Sequence, residues 1–82
     1  MTDNSILDQE LYELLCELRN QIAKQKNLPP FIIFHNGTLK EMAETKPETI
    51  DEVKMLTYSS VNKARKYGRP FLVLISDWKK SN

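Results

Sequence analysis

The segment Pro29-Pro30-Phe31-Ile32-Ile33-Phe34 constrains this chain more than any other. Proline lacks a backbone N–H and fixes φ, so a pair of prolines belongs inside neither a helix nor a central strand. Four bulky apolar side chains follow at once. A segment this apolar outside regular structure is either a buried connector or an exposed tip that binds something.

The flanking sequence reads as helix on both sides. Leu7, Leu11, Leu14, Leu15, Leu18 and Ile22 recur at spacings of three and four, which predicts a long amphipathic helix. Ser5 or Asp8 is placed to cap its start, and it should end near Asn27. Glu10, Glu13, Glu17, Asn20, Gln21 and Lys24 form its outer face. Downstream, Thr38-x-x-Glu41 and Thr49-x-x-Glu52 match the capping-box pattern and predict two short helices separated by Pro47. The first should bury Leu39, Met42 and Ala43, and the second Ile50, Val53 and Leu56. Tyr58-Ser59-Ser60 reads as a polar turn capping a fourth helix with Val61, Ala64 and Tyr67 on one face. Gly68 is placed as the residue that ends it, and Pro70 as the opening of a fifth helix burying Phe71, Leu74, Ile75 and Trp78.

The expected architecture is all-α. It is one domain spanning residues 1–82, with five helices, a core over about 7–78 and polar, frayed ends. A chain of 82 residues buries only about 60% of its unfolded surface, so its core is modest.

Several classes of function lack their parts. The longest apolar run, Phe71 to Ile75, is too short to span a bilayer, and residues 1–4 carry no leader-like pattern. The single cysteine, Cys16, excludes an internal disulfide and fits a reducing, cytoplasmic setting; it reads as a packing residue. Gly37 and Gly68 are the only glycines, so there is no glycine-rich phosphate loop. One histidine and one cysteine do not make a structural zinc site. His35 has no evident catalytic partner, and a surface or capping role is its default reading. Asp51 and Glu52 already serve a cap. The chain reads as a non-enzyme with no cofactor and no metal.

Charge is unevenly divided. Residues 1–52 carry ten acids and five bases, whereas residues 53–82 carry one acid and seven bases. Lys63, Arg65, Lys66 and Arg69 crowd the fourth expected helix and the turn after it, preceded by Ser59 and Ser60. Bases, hydroxyls and a helix N-terminus are the parts that hold a nucleic-acid backbone. The same pattern also suits a merely solvated helix face. Phe31 and Tyr58 are the aromatics that helix periodicity explains least, and an exposed ring offers a stacking surface to any base.

At these residues the chain resembles a known family. Leu11-Tyr12-Glu13-Leu14-Leu15-Cys16-Glu17-Leu18-Arg19, Ile22-Ala23, Asn27-Leu28-Pro29-Pro30-Phe31-Ile32-Ile33-Phe34, Thr38-Leu39-x-Glu41-Met42-Ala43, Pro47-x-Thr49 and Lys63-x-x-x-Tyr67-Gly68-x-Pro70-Phe71 occur in order. Together they resemble the HRDC domain (helicase and RNase D C-terminal), most closely the version in bacterial RecQ-type DNA helicases. The resemblance covers residues 7–76. It implies a compact five-helix bundle with a short, partly 3₁₀ Pro-Pro-aromatic connector. It also implies a non-catalytic accessory module that helps an ATP-dependent helicase engage single-stranded or junction DNA, with Phe31 near the DNA face. Where the family often has a Gly-Val-Gly-like turn, this chain has Tyr58-Ser59-Ser60. Where DNA-binding members tend to carry bases on the first helix, this chain carries Glu10, Glu13 and Glu17. The expected DNA site is therefore Lys63, Arg65, Lys66, Arg69, Ser59, Ser60, Tyr58 and Phe31, flanked by Lys24 and Lys26. The partners expected are weakly bound DNA and the parent helicase core, with no membrane and a monomeric chain. The alternative is a protein-interaction module that docks on the helicase core or another protein through the acidic first helix.

Overall fold

A computed structural model describes the backbone of residues 2–81 and the side chains of residues 9–81. In chain order, the described residues form α1 (Thr2–Lys26), α2 (Pro30–Ile33), α3 (Asn36–Thr45), α4 (Ile50–Lys54) and α5 (Val61–Ser81). No strand occurs among them.

α1 buries Leu11, Leu15, Arg19 and Ala23 and leaves Leu14 at its exposed edge. Ser5 and Asp8, the expected caps, lie within the helical span rather than before it, and their side chains fall outside the described residues. The far end closes as expected. Asn27 takes the left-handed conformation (φ 57°), the Leu28 N–H donates to the Ala23 carbonyl at 2.9 Å and the Asn27 N–H to the Lys24 carbonyl at 3.2 Å. This pair of bonds satisfies two carbonyls that would otherwise face nothing.

The double proline opens α2, one short helical turn. Pro29 is extended (φ −61°, ψ 142°) and Pro30 is the first helical residue, where a missing N–H costs no bond. The Ile32 N–H donates to the Pro29 carbonyl at 3.0 Å and the Phe34 N–H to the Pro30 carbonyl at 3.4 Å. The connector is thus both short and helical. It buries Ile33 and Phe34 completely, while Phe31 is 54% and Ile32 37% exposed.

Thr38-x-x-Glu41 is not a capping box. α3 starts three residues earlier than that box requires, at Asn36, with His35 as its N-cap and no side-chain cap bond. Thr38 and Glu41 instead reach across to the loop after α4. Leu39, Met42 and Ala43 are buried as predicted. The second box is present. Thr49 Oγ1 accepts the Glu52 N–H at 3.2 Å, and the Glu52 carboxylate accepts the Thr49 N–H at 3.1 Å.

The fourth and fifth expected helices are one helix. α5 runs unbroken through Gly68 and Pro70. Ala64, Gly68, Phe71 and Ile75 make one buried stripe across the supposed break, and that continuous packing outweighs the local stop signal. Pro70 is exposed, so the carbonyl it leaves unbonded is on the side where water reaches. Gly68 serves close packing rather than a turn. A Cβ at that position would lie 3.1 Å from Ile50 Cδ1 on α4.

The core lies where α1 packs on α2, α3 and α5, and α4 packs on α5. At its centre Phe34 meets Phe71 edge to face, with centroids 5.1 Å apart and planes at 87°. Among the described residues no helix is long and apolar enough to cross a membrane.

Candidate nucleic-acid interface

Three exposed rings form a row on the surface where α2, α3 and the loop before α5 meet. Phe31 lies 6.2 Å from His35, and His35 lies 5.1 Å from Tyr58, with interplanar angles of 43° and 39°. Phe31 is there because α2 turns Ile33, and the Phe34 that follows it, inward and leaves the first ring outside. His35 is the residue between α2 and α3. Tyr58 comes from a distant part of the chain and is held by two anchors. Thr38 Oγ1 donates to the Thr57 carbonyl at 2.6 Å, and the Thr57 N–H donates to the Glu41 carboxylate at 3.1 Å. Hydrogen bonds from Thr57, its side chain first and its backbone N–H second, lower the Glu41 pKa because they favour the ionised carboxylate. Tyr58 itself has φ 61°, a conformation side chains rarely adopt. Its ring lies against Gly37, where a Cβ would sit 3.5 Å from Tyr58 Cε2.

One of the four expected bases joins the row by contact. The Lys63 ammonium donates to the Phe31 carbonyl at 3.3 Å. At about 100° per residue, Lys63 and Arg65 flank the buried stripe of α5 on opposite sides, with Lys66 and Arg69 pointing outward between them. The four bases are therefore spread around the exposed arc of α5 and do not form one face. Lys26 lies 6.0 Å from the Tyr67 ring centroid, on the Lys63 side, and Lys24 is exposed on the outer face of α1. Ser60 accepts the Lys63 N–H at 3.1 Å and so caps α5. Ser59 Oγ is buried without a hydrogen-bond partner, turned away from the surface that its position suggested.

Arg19 was not among the expected site residues. It is 9% exposed and lies behind the ring row. Its Nη1 donates to the Phe34 carbonyl at 3.2 Å and to Asn36 Oδ1, and its Nε donates to Asn20 Oδ1 at 3.2 Å. The signal was available, because an arginine four residues after Leu15 and four before Ala23 stands in the buried stripe of its helix. Arg19, Phe31, His35, Asn36, Gly37 and Tyr58 line an open cleft of about 530 Å³, together with Pro30. Among the described residues no aspartate or glutamate lines it. The cleft combines ring faces with positive charge. No group of three or more metal-ligating side chains stands together among the described residues.

Comparison with known proteins identifies the family. The family model described as "HRDC domain" matches residues 8–75. Over 74 residues the chain is 39% identical to the ATP-dependent DNA helicase RecQ of Haemophilus influenzae, covering 88% of this chain and 12% of that protein. The namesake of Pasteurella multocida is 36% identical over 73 residues (89% and 12%), and that of Bacillus subtilis 41% over 63 residues (77% and 11%). The chain spans about one eighth of the length of these relatives.

Proposed function

The chain belongs to the HRDC domain family, and on that premise we propose that it is a non-catalytic accessory domain that holds single-stranded DNA weakly for a RecQ-like helicase in the cytoplasm. The observation that carries this reading is the row Phe31–His35–Tyr58 beside Lys63 and Arg19. Exposed rings stack on bases without regard to sequence, and flanking cations hold the phosphates between them. Lys63, Lys66, Arg65 and Arg69 supply general attraction along α5, with Lys26 and Lys24 at its margin. Such a site gives position and affinity rather than sequence choice.

Titration of a labelled single-stranded oligonucleotide at two salt concentrations tests this. Binding should weaken as salt rises, and replacing Lys63 and Lys66 by alanine should flatten the dependence by about two phosphate contacts. No binding at low salt and high protein concentration would refute it.

A second reading has its own observation. Leu14 (39% exposed) and Val73 (55% exposed) lie in an apolar groove of about 490 Å³ between α1 and α5, beside the acidic face of Glu10, Glu13 and Glu17. In that reading the face docks on the helicase core. Reversing the charge of Glu13 and Glu17 would then abolish association with the core and leave oligonucleotide binding unchanged.

A further inference from the structure

Asn36-Gly37 is the one Asn-Gly pair in the chain. An asparagine loses its amide when the backbone nitrogen of the next residue attacks its side-chain carbonyl. Glycine presents that nitrogen with no side chain in the way. Asn20, Asn27 and Asn62 are instead followed by Gln21, Leu28 and Lys63, whose side chains stand over the nitrogen.

The fold leaves this pair open to reaction. Both residues are exposed and line the ring cleft, so water reaches them. Gly37 is the second residue of α3, a position at which a helix offers the N–H no acceptor of its own. The first turn is closed by the Leu39 N–H on the His35 carbonyl at 3.1 Å, and no side-chain cap reinforces it. The rotation that brings the Gly37 nitrogen to Asn36 Cγ therefore opens little structure. Arg19 Nη1 donates to Asn36 Oδ1. A charged donor there stabilises the negative charge that this oxygen takes up during attack. Arg19 is also held by the Phe34 carbonyl and Asn20 Oδ1, so its position does not depend on α3 alone.

We propose that Asn36 is a deamidation site, and that its conversion to aspartate stabilises the fold while weakening strand binding. The Gly37 nitrogen forms a bond to Asn36 Cγ and the Cγ–Nδ2 bond breaks. The amide leaves as ammonia, carrying the proton that the Gly37 nitrogen gives up. Water then opens the cyclic imide. Attack at Cγ yields aspartate, and attack at the main-chain carbonyl of residue 36 yields isoaspartate with a longer backbone. Nothing is oxidised or reduced, and water is the only co-reactant.

The acceptors of Arg19 are all neutral, and the first turn of α3 contains no acid. A carboxylate at position 36 gives Arg19 a counter-charge and gives the helix the negative charge that its start favours. The same carboxylate stands in the cleft with Phe31, His35 and Tyr58, where it repels the phosphates of a bound strand. This effect on binding rests on the single-strand reading above, whereas the conversion itself does not.

The test is peptide mapping of the whole chain by mass spectrometry during storage in mildly alkaline buffer. Asn36 should show the mass gain of amide-to-acid conversion ahead of Asn20, Asn27 and Asn62. Gly37→Ala should suppress it, because the added methyl shields the nitrogen. A Cβ there lies 3.5 Å from Tyr58 Cε2, an ordinary contact, so the fold accommodates it. Asn36→Asp reproduces the product. Its thermal midpoint should exceed that of the unaltered chain, and its affinity for a short oligothymidylate at low salt should fall about fivefold. No conversion at Asn36, or earlier conversion at Asn20, Asn27 or Asn62, would overturn the site. A lower midpoint or an unchanged strand affinity in Asn36→Asp would overturn its consequence and spare the single-strand reading. Absence of strand binding by the unaltered chain would overturn that reading and the binding effect with it, while the mass map would still decide the site.

Discussion

Thr38 on α3 and Thr57 in the loop before α5 are joined by a 2.6 Å hydrogen bond, from the Thr38 hydroxyl to the Thr57 carbonyl. With the Glu41 carboxylate accepting the Thr57 N–H, both backbone groups of Thr57 are tied to α3. This clamp sets the position of Tyr58 and therefore the length of the ring row.

Thr38→Val keeps the shape of the buried side chain and deletes the donor. Thr57 is exposed, so water can meet its carbonyl. The expected loss is about 1 kcal/mol of stability, read from denaturant unfolding. The amide exchange of Ser59 and Ser60 should also accelerate, reporting a looser loop.

Tyr58→Gly separates backbone strain from ring function. A left-handed tyrosine costs about 1–2 kcal/mol that glycine does not, whereas a ring that is 67% exposed contributes little packing. Stability should hold or rise, offset in part by the greater freedom of glycine in the unfolded chain. Single-strand affinity should fall by about 1–3 kcal/mol, the usual range for one stacked base.

Phe31 and Phe34 stand three residues apart and should behave oppositely. Phe34→Ala removes a fully buried ring and its edge-to-face contact with Phe71, costing about 3–5 kcal/mol. That is a large share of a small domain's total stability, so the thermal transition should collapse. Phe31→Ala changes a surface ring and should shift stability by less than about 0.5 kcal/mol while weakening strand binding.

Acid should release the clamp on Tyr58. The Glu41 pKa is lowered by its hydrogen bonds to Thr57, and that of Glu48 by the Lys79 ammonium at 2.8 Å. A depressed carboxyl pKa stabilises the fold above the unfolded value of 4.5 and loses that contribution as pH falls through the folded value. Stability should therefore be flat near neutrality and decline from about pH 4.5 downward. Glu41→Gln should remove part of this acid dependence. An unchanged acid limb in that variant would show that the Glu41–Thr57 bond carries none of it.

The helical class was legible because its signals are local and periodic. The apolar spacing of α1, the left-handed Asn27 that ends it and the Thr49–Glu52 box are all decided by residues within a turn or two of each other. Phe31 stood out only because helix periodicity leaves it unexplained and the family resemblance sets it near a DNA face, and the exposure of its neighbour Ile32 (37%) was not legible. Two further signals were misread for a shared reason. Thr38-x-x-Glu41 has the pattern of a cap but its groups bond to Thr57, and Gly68-Arg69-Pro70 has the pattern of a stop but lies inside α5. In each case a contact from a remote segment outweighs a preference worth about 1–3 kcal/mol.

The sequence by itself determined an all-α domain of the HRDC family and the long first helix, and it left open whether the ring after the prolines is buried or exposed. Only the tertiary structure decided that α5 is continuous, that Tyr58 joins Phe31 and His35, and that Arg19 is among the residues lining their cleft. The physical reason is range. Periodicity and capping act within a few residues, whereas the ring row joins residues 31 and 58 and the Arg19 contacts reach residues 34 and 36. Such distances are closed only when the buried faces of α1, α3 and α5 pack together.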